Sequence, residues 1–363
     1  MDTECDALVI GAGIIGTAIA YELSKRKLLV ALCDQSQNLG DGISGRNSGV
    51  LHSGIYYPDD SLKLKVCIEG YALARSFFQR FDVPHVICGK LITVGANATN
   101  DAFEHLEQLW EQGRRRNLPG EIQKCDALET KYPGLRGRAG LWIAATGVVD
   151  VPAYLKILRT VSEEQGAVFL PHHRFNFYQG QPTLLDGHNR RSEAQAKIYI
   201  NASGLESAAL SRSFGLEGWE IKPNKGEYYR LSKPLPYPFL VYPLPHKQST
   251  ALGVHYTFHL GGDCYAGPSS AWADSKDDYS FTLAQNTFYE SLQHITSLYR
   301  ENDLSPGYVG LRPRLFFQGK PHPDFVLQEA HGDYRSLHLL GIESPGLTSA
   351  LALAQLVAQT LAV

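Results

Sequence analysis

Apolar residues run unbroken at Ala7-Leu8-Val9-Ile10 and again at Leu28-Leu29-Val30-Ala31-Leu32-Cys33. The first run ends in Gly11 and the second in Asp34. Short continuous apolar runs bounded in this way predict parallel strands buried on both faces. Between them, residues 17–27 carry a helix-compatible pattern, entered through Gly11-Ala12-Gly13-Ile14-Ile15-Gly16. The stretch reads as strand, glycine turn, helix, strand and acid: one βαβ unit.

Further along, the pattern predicts helices over residues 71–81, 101–117, 153–166, 281–302 and 347–361. Residues 90–95 alternate like a half-exposed strand, and 167–170, 197–201 and 336–341 read as further strands. Proline-rich stretches around 223–245 and 306–323 predict crossings between domains or antiparallel turns. No internal repeat and no low-complexity segment interrupts the pattern.

Composition narrows the class. At roughly 150 residues per domain, a chain of 363 residues suggests two domains. With 44% hydrophobic and 20% charged residues it can bury a large core, which excludes disorder and a disulfide-held miniprotein. The net charge of -3 gives no electrostatic reason to expect nucleic acid as a partner. Cysteines 5, 33, 67, 88, 125 and 264 form no C-x-x-C pair and no metal-ligand spacing, so reduced thiols, no metal and a cytoplasmic location are expected. Asp2, Glu4 and Asp6 stand where a secretory signal would carry lysines. The apolar stretch 337–363 is broken by Glu343, Pro345 and Gly346, so it does not read as a membrane span.

The glycines then acquire jobs. Gly11 permits a tight turn, Gly13 lets backbone approach a pyrophosphate, and Gly16 lets helix and strand pack closely. The helix start offers free N–H groups and a positive dipole end to phosphates. Asp34 closes the second strand, where a carboxylate accepts hydrogen bonds from a ribose diol. The triplet alone does not choose between NAD and FAD, but two later small-residue turns, Asn201-Ala202-Ser203-Gly204 and Gly341-Ile342-Glu343-Ser344-Pro345-Gly346, offer more backbone to a long cofactor. The helix after Gly346 would face the electron-rich end of a flavin.

The order of these pieces resembles the FAD-dependent oxidoreductases of the D-amino-acid oxidase superfamily over nearly the whole chain. Ser44-Gly-Arg-Asn-Ser-Gly-Val-Leu-His-Ser-Gly-Ile-Tyr-Tyr57 is similar to the flavin-proximal segment of the L-2-hydroxyglutarate dehydrogenases and oxidases. Lys225-Gly-Glu-Tyr-Tyr229, Leu252-Gly-Val-His-Tyr256, Gly267-Pro268 and Gly341–Thr348 resemble that family's other signatures. Asp34 replaces the more usual glutamate, and Gly310-Leu-Arg-Pro-Arg314 matches only partly.

The resemblance implies an α/β fold: a Rossmann-like FAD-binding domain of glutathione-reductase type, interleaved with an α+β substrate cap built on a largely antiparallel sheet. Segments 1–83, 147–218 and 305–363 would form the first, and 84–146 with 219–304 the second. It implies FAD contacts at Gly11, Gly13, Ile14, Ile15, Gly16, Asp34, Gln35, Ser44, Arg46, Asn47, Ser48, Gly49, Val50, Ala202, Gly204, Gly341, Ser344, Pro345, Gly346, Leu347 and Thr348.

The implied reaction is oxidation of L-2-hydroxyglutarate, or a similar short 2-hydroxy acid, to the 2-oxo acid, the hydride passing to flavin N5. Histidine suits the base, its ordinary pKa of about 6.5 lying near working pH. His52, in the flavin segment, and His255, on a cap strand, are the candidates, and the sequence does not choose between them. Arg312 is the first choice for a substrate carboxylate, with Lys225 and Tyr228 next. Polar contexts mark His172, His173, His188 and His246 as solvent-exposed, and the Arg114-Arg115-Arg116 run as a solvated helix face.

A single glycine-triplet unit leaves no second dinucleotide site, so oxygen or a quinone is the expected electron acceptor. A peripheral contact at the inner face of a membrane stays open. Within the same fold an amine, an amino acid or glycerol 3-phosphate is the alternative substrate. A tRNA-modifying or non-catalytic flavoprotein, and an NAD-dependent dehydrogenase, are the alternatives from other classes.

Overall fold

Strand Thr3–Ile10 lies inside a parallel sheet, where Ala7, Leu8 and Val9 are wholly buried. Val30–Cys33 pairs with it on one side and Arg191–Asn201 on the other, both parallel. Val168–Leu170 extends the sheet beyond Val30–Cys33, and Arg335–Leu340 joins beyond Arg191–Asn201. The computed structural model describes residues 3–95, 98–118, 121–245 and 253–363. Asp2, His246 and Leu252 lie outside the described residues.

Helix Ile14–Lys25 begins at the glycine turn, three residues before the apolar periodicity suggests, with Gly13 as its N-cap. It packs against Val151–Glu163 and Gly346–Thr360, and Gly346–Thr360 packs in turn on Leu62–Arg80. The Leu62–Arg80 helix starts well before the predicted 71–81, because its first turn is capped from outside. Asp324 accepts from the backbone of Leu62 and Lys63, and Ser61 accepts from Leu64. The charged Lys63, Lys65 and Glu69 mask that turn in the sequence.

The second large sheet is mostly antiparallel, and it contains ten strands among the described residues. Its longest pair is Trp219–Leu231 with Leu304–Phe317. The proline-rich stretches expected as turns or crossings are thus in large part strands. Pro223 and Pro313 face one another across the ladder, so the two missing donors share one register position. A boundary at 305 would cut this sheet at the start of Leu304–Phe317.

Three other expectations change. Helix 281–302 shortens to Gln285–Gln293, since Thr296 Oγ1 and Ser297 N both turn back to the Gly134 carbonyl. Strand Lys90–Val94 is buried at every position, not half-exposed. It lies inside the sheet between Leu240–Pro243 and Ala139–Ile143. One of its faces meets the Leu106 and Leu109 side of helix Asn100–Arg115, and the other meets the Tyr256 and Phe288 cluster. Arg116 also departs from the solvated face expected of its run. It donates to the Gly54 and Ile55 carbonyls and pairs with Asp59.

Three backbones meet where the glycine turn closes. A Cβ on Gly11 would lie 2.5 Å from the Ala202 oxygen, and one on Gly16 only 1.8 Å from the Gly11 oxygen. The second gap is far inside contact distance and both atoms are backbone, so no side-chain rotation can relieve it. Gly16→Ala is therefore expected to lower the unfolding free energy by about 2–4 kcal/mol. Urea denaturation of the two proteins, compared at equal slope, measures that loss.

Candidate active site

A cavity of about 1510 Å³ is lined by residues of both sheets. Ordinary single-ligand sites run to about 300–1,000 Å³, so this one has room for a dinucleotide and a small substrate together.

At the parallel-sheet end the cavity wall includes Gly11, Gly13, Ile14, Ile15, Asp34 and Gln35. Gly13 has no side chain with which to cap helix Ile14–Lys25 and no acid occupies its first turn, so its dipole end is open to an anion. Gly13 leaves a gap that a Cβ would fill, 2.9 Å from Ser44 Oγ, and that hydroxyl accepts from Ile14 N. The Asp34 carboxylate accepts from Ala12 N and Ser36 N, which fixes its direction and still leaves lone pairs for a diol. Ala202 and Gly204 close the wall opposite.

The next stretch of wall holds Ser44, Arg46, Asn47, Ser48 and Val50, then Ser344, Pro345, Gly346 and Leu347 at the start of the Gly346–Thr360 helix. Four of the expected cofactor residues stand behind the wall instead. Gly16 packs helix on strand, Gly49 faces the Val149 oxygen, and Gly341 takes a positive φ against Leu315. Thr348 is fully buried, its hydroxyl accepting from His52 N. Each shapes the wall without forming its surface.

Sequence reasoning missed Arg174, Phe175 and Asn176, which line the Asp34 end of the cavity. They sit on the Arg174–Tyr178 arm of an antiparallel hairpin with Gln181–Leu185. His173, expected in solvent, also lines the cavity, with Nδ1 2.8 Å from the Pro171 carbonyl. Only a weak alternation marks this hairpin in the sequence.

At the other end, strand Trp219–Leu231 sorts its side chains by parity. Asn224, Gly226 and Tyr228 line the cavity. Tyr228 stacks on Tyr308 with ring centroids 4.5 Å apart. Lys225 and Glu227 point the opposite way and are not in the cavity wall. The Lys225 ammonium pairs with Asp278 at 2.5 Å and donates to the Ser280 hydroxyl and carbonyl. Glu227 accepts from the backbone of Thr282 and Leu283. The expected role of Lys225 in substrate binding is therefore corrected: it anchors a loop from the far face of the sheet.

Arg312 lines the cavity directly across the ladder from Asn224. Its guanidinium donates to Asn224 Oδ1 at 2.8 Å, the Lys225 carbonyl at 2.9 Å and the Ser269 carbonyl at 3.0 Å. These three partners are all neutral. Among the described residues it makes no ion pair, and it is a cation oriented by dipoles.

His52 and His255 both border the cavity. His52 Nε2 lies 3.1 Å from Ser344 Oγ, which ties the 44–57 segment to the turn before the last helix. His255 Nδ1 sits 2.9 Å from the Gly253 carbonyl, an acceptor only, so the proton belongs on Nδ1 and Nε2 carries the lone pair. Its ring stacks on Tyr242 at 3.7 Å and 17°. Burial, assisted by the nearby Lys90 charge, pushes each imidazole down to about 3. Both rings are neutral at ordinary pH.

Comparison with known proteins places this architecture. The profile of a family described as FAD-dependent oxidoreductase (DAO) matches residues 6–360. The mitochondrial L-2-hydroxyglutarate dehydrogenase of Arabidopsis thaliana is 32% identical, over 97% of this chain and 82% of that protein. The L-2-hydroxyglutarate dehydrogenase of Escherichia coli K12 is 25% identical, over 95% of this chain and 90% of its own. In fold, the chain is similar to the FAD-bound, dithionite-reduced L-α-glycerophosphate oxidase of Mycoplasma pneumoniae. The TM-score is 0.88 at 24% identity, over 99% of this chain and 95% of that one. Glycine oxidase from Geobacillus kaustophilus follows at a TM-score of 0.78 and 20% identity, covering 98% and 94%.

The parity of the Trp219–Leu231 strand makes a sharp prediction. Lys225→Met is expected to leave the KM for substrate within about twofold, because uniform binding at the cavity is untouched. The same change should lower the thermal midpoint, since it leaves Asp278 and Ser280 without their shared partner. A large rise in KM at unchanged stability would contradict the placement.

Proposed function

The chain belongs to the FAD-dependent oxidoreductase family, and from that premise we propose that it oxidises L-2-hydroxyglutarate, or a similar short 2-hydroxy acid, to the 2-oxo acid. The observation that carries this reading is the pairing at the inner end of the cavity. Arg312 is a guanidinium without a carboxylate, and His255 is a neutral imidazole with one nitrogen pinned and the other bare. A 2-hydroxy acid presents the two complements, a carboxylate and a hydroxyl proton. The relatives' names supply the choice of L-2-hydroxyglutarate, including its handedness.

FAD would lie along the Gly11–Gly16 turn with its ribose at Asp34, its middle at Ser44 to Ser48, Ala202 and Gly204, and its ring beside Ser344 to Leu347. Held by these residues, FAD would supply the acceptor for the hydride on the carbon that bears the hydroxyl. Arg312 binds the carboxylate, and its three neutral partners hold the fork in one orientation. His255 Nε2 takes the hydroxyl proton. Tyr228 borders the same space as a hydroxyl donor, its phenol kept neutral by burial. His52, tied to Ser344 and Thr348, orients the flavin-side wall.

Oxygen or a quinone takes the electrons in this reading. A quinone would be met at a peripheral membrane contact; no helix among the described residues is long and apolar enough to cross a membrane.

The pH dependence follows from sign. His255 accepts a proton only while neutral, and its pKa is held at about 3, so the base stays competent far below the usual histidine range. On the acid side, kcat/KM is expected to show no inflection near about 6.5 and to fall only as the pH approaches the lowered value. A pH profile with an acid limb at the ordinary histidine pKa would rule out His255 as the base.

Anaerobic titration of the purified flavoprotein tests the substrate. L-2-hydroxyglutarate is expected to bleach the flavin absorbance, whereas amines and glycerol 3-phosphate leave it; bleaching by an amine alone overturns the reading. His255→Gln should slow that bleaching by about 100-fold or more, the scale of general-base catalysis.

A further inference from the structure

His338 is a wholly buried histidine that does not line the cavity and that the proposed oxidation leaves without a task. It stands on strand Arg335–Leu340, directly beside Asn201 in the parallel ladder. Both ring nitrogens are engaged: Nδ1 lies 3.0 Å from Asn201 Nδ2, and Nε2 lies 2.8 Å from Ser336 Oγ. Asn201 and Ser336 are themselves wholly shielded from solvent.

The far end of this chain fixes the direction of every bond in it. A backbone N–H only donates, and a carbonyl only accepts. Ser203 N and Ser203 Oγ lie 3.2 Å and 2.7 Å from Asn201 Oδ1, whereas the Ser207 carbonyl lies 2.8 Å from Nδ2. The amide oxygen therefore faces Ser203, and the nitrogen faces Ser207. The second hydrogen of Nδ2 points at His338 Nδ1, which must accept it. The ring proton then sits on Nε2 and is donated to Ser336 Oγ. Burial pushes the His338 imidazole down to about 4, so the ring is neutral and its Nδ1 lone pair is present. No donor or acceptor of the Asn201 side chain is idle, and the amide has a single orientation.

The relay ends in the cavity wall. Ala202, Ser203 and Gly204 all line the cavity, at the stretch assigned above to the middle of FAD. Ala202 N donates to the Ile10 carbonyl, which seats this turn against Gly11, and Glu206 N donates back to the Ser203 carbonyl. The bond from Ser203 N to Asn201 bends the backbone as it leaves the strand. The turn thus takes its position from the Asn201 amide, and the amide takes its orientation from the tautomer of His338.

We propose that His338 is a positioning residue for the cofactor, its Nδ1 lone pair fixing the Asn201 amide and through it the 202–204 wall of the FAD site. Without that lone pair, one Asn201 N–H would be buried with no acceptor. The alternative, a flipped amide, would set its NH2 group against the Ser203 N–H and its oxygen against the Ser207 carbonyl. Either outcome loosens the turn from which FAD is held. The inference concerns retention of FAD and is independent of which substrate is oxidised.

Dilution of the FAD-loaded protein, followed by the fluorescence of released flavin, gives the Kd for FAD. Two substitutions separate the relay from simple packing. In His338→Asn the amide oxygen branches from Cγ, as Nδ1 does, and can still accept from Asn201. In His338→Gln the amide lies one carbon further out, near the place of Nε2. That side chain fills more of the site but offers Asn201 no acceptor. The relay predicts a Kd within about threefold of wild type for His338→Asn, and a rise of about tenfold or more for His338→Gln, the scale of one buried hydrogen bond. A histidine that only fills space predicts the reverse order.

Equal FAD affinity in the two variants, or weaker binding in His338→Asn than in His338→Gln, overturns the proposal. If either variant does not fold, Ser336→Ala decides, because it removes a single oxygen at the far end of the relay. With that acceptor gone, the ring proton can move to Nδ1, against the Asn201 amide. The relay then predicts a rise in Kd of about threefold or more, and a smaller change overturns it.

Discussion

Everything in this molecule is organised around one close approach of backbone to backbone. Gly11 ends the first strand against Ala202, which ends another, and Gly16 brings the first helix down onto the same turn. Any side chain at these points would push the three segments apart. The approach puts two strand ends and a helix N-terminus at one edge of the parallel sheet. The start of the cavity is therefore a consequence of missing Cβ atoms. Asp34, Ser44 and Gly204 occupy positions that this contact dictates.

That part was legible from sequence because it is local. Turn, strand and helix follow one another within a few dozen residues, and glycine has few reasons to recur at that spacing. The cap was less legible because its information is relational. Lys225 and Tyr228 carry similar polar promise in the sequence, yet the pleat sends them to opposite faces, and the direction is set by which face meets the cavity. Lys90 shows the opposite failure. Alternation around it suggests a half-exposed strand, but partners from distant segments cover both faces, and an ammonium ends up inside. Arg174 and Phe175 reach the cavity through a hairpin whose local signal is only weak alternation.

The balance of charge in the cavity follows from how each group is held. Arg312 is fixed by an amide oxygen and two carbonyls, which orient it without cancelling its charge. Burial keeps His52 and His255 neutral, and the positive neighbours add to that effect. A neutral imidazole among cations resists taking a proton from solvent. In the proposed reaction, a carboxylate seated beside Arg312 would turn the field at His255 toward accepting a proton. Electrostatic pre-organisation of this sort needs no moving part.

Helix Gly346–Thr360 packs on both Ile14–Lys25 and Leu62–Arg80, and strand Arg335–Leu340 pairs with Arg191–Asn201 in the same sheet. These partners are separated by most of the chain. During synthesis the nucleotide-binding unit is made early, but its neighbours leave the ribosome late. Until they arrive, the apolar faces of the first helix and of Leu62–Arg80 have nothing of their own chain to cover them. Such a topology ties the maturation of the parallel sheet to the synthesis of its distant segments, and it leaves apolar helix faces open to association in the interval.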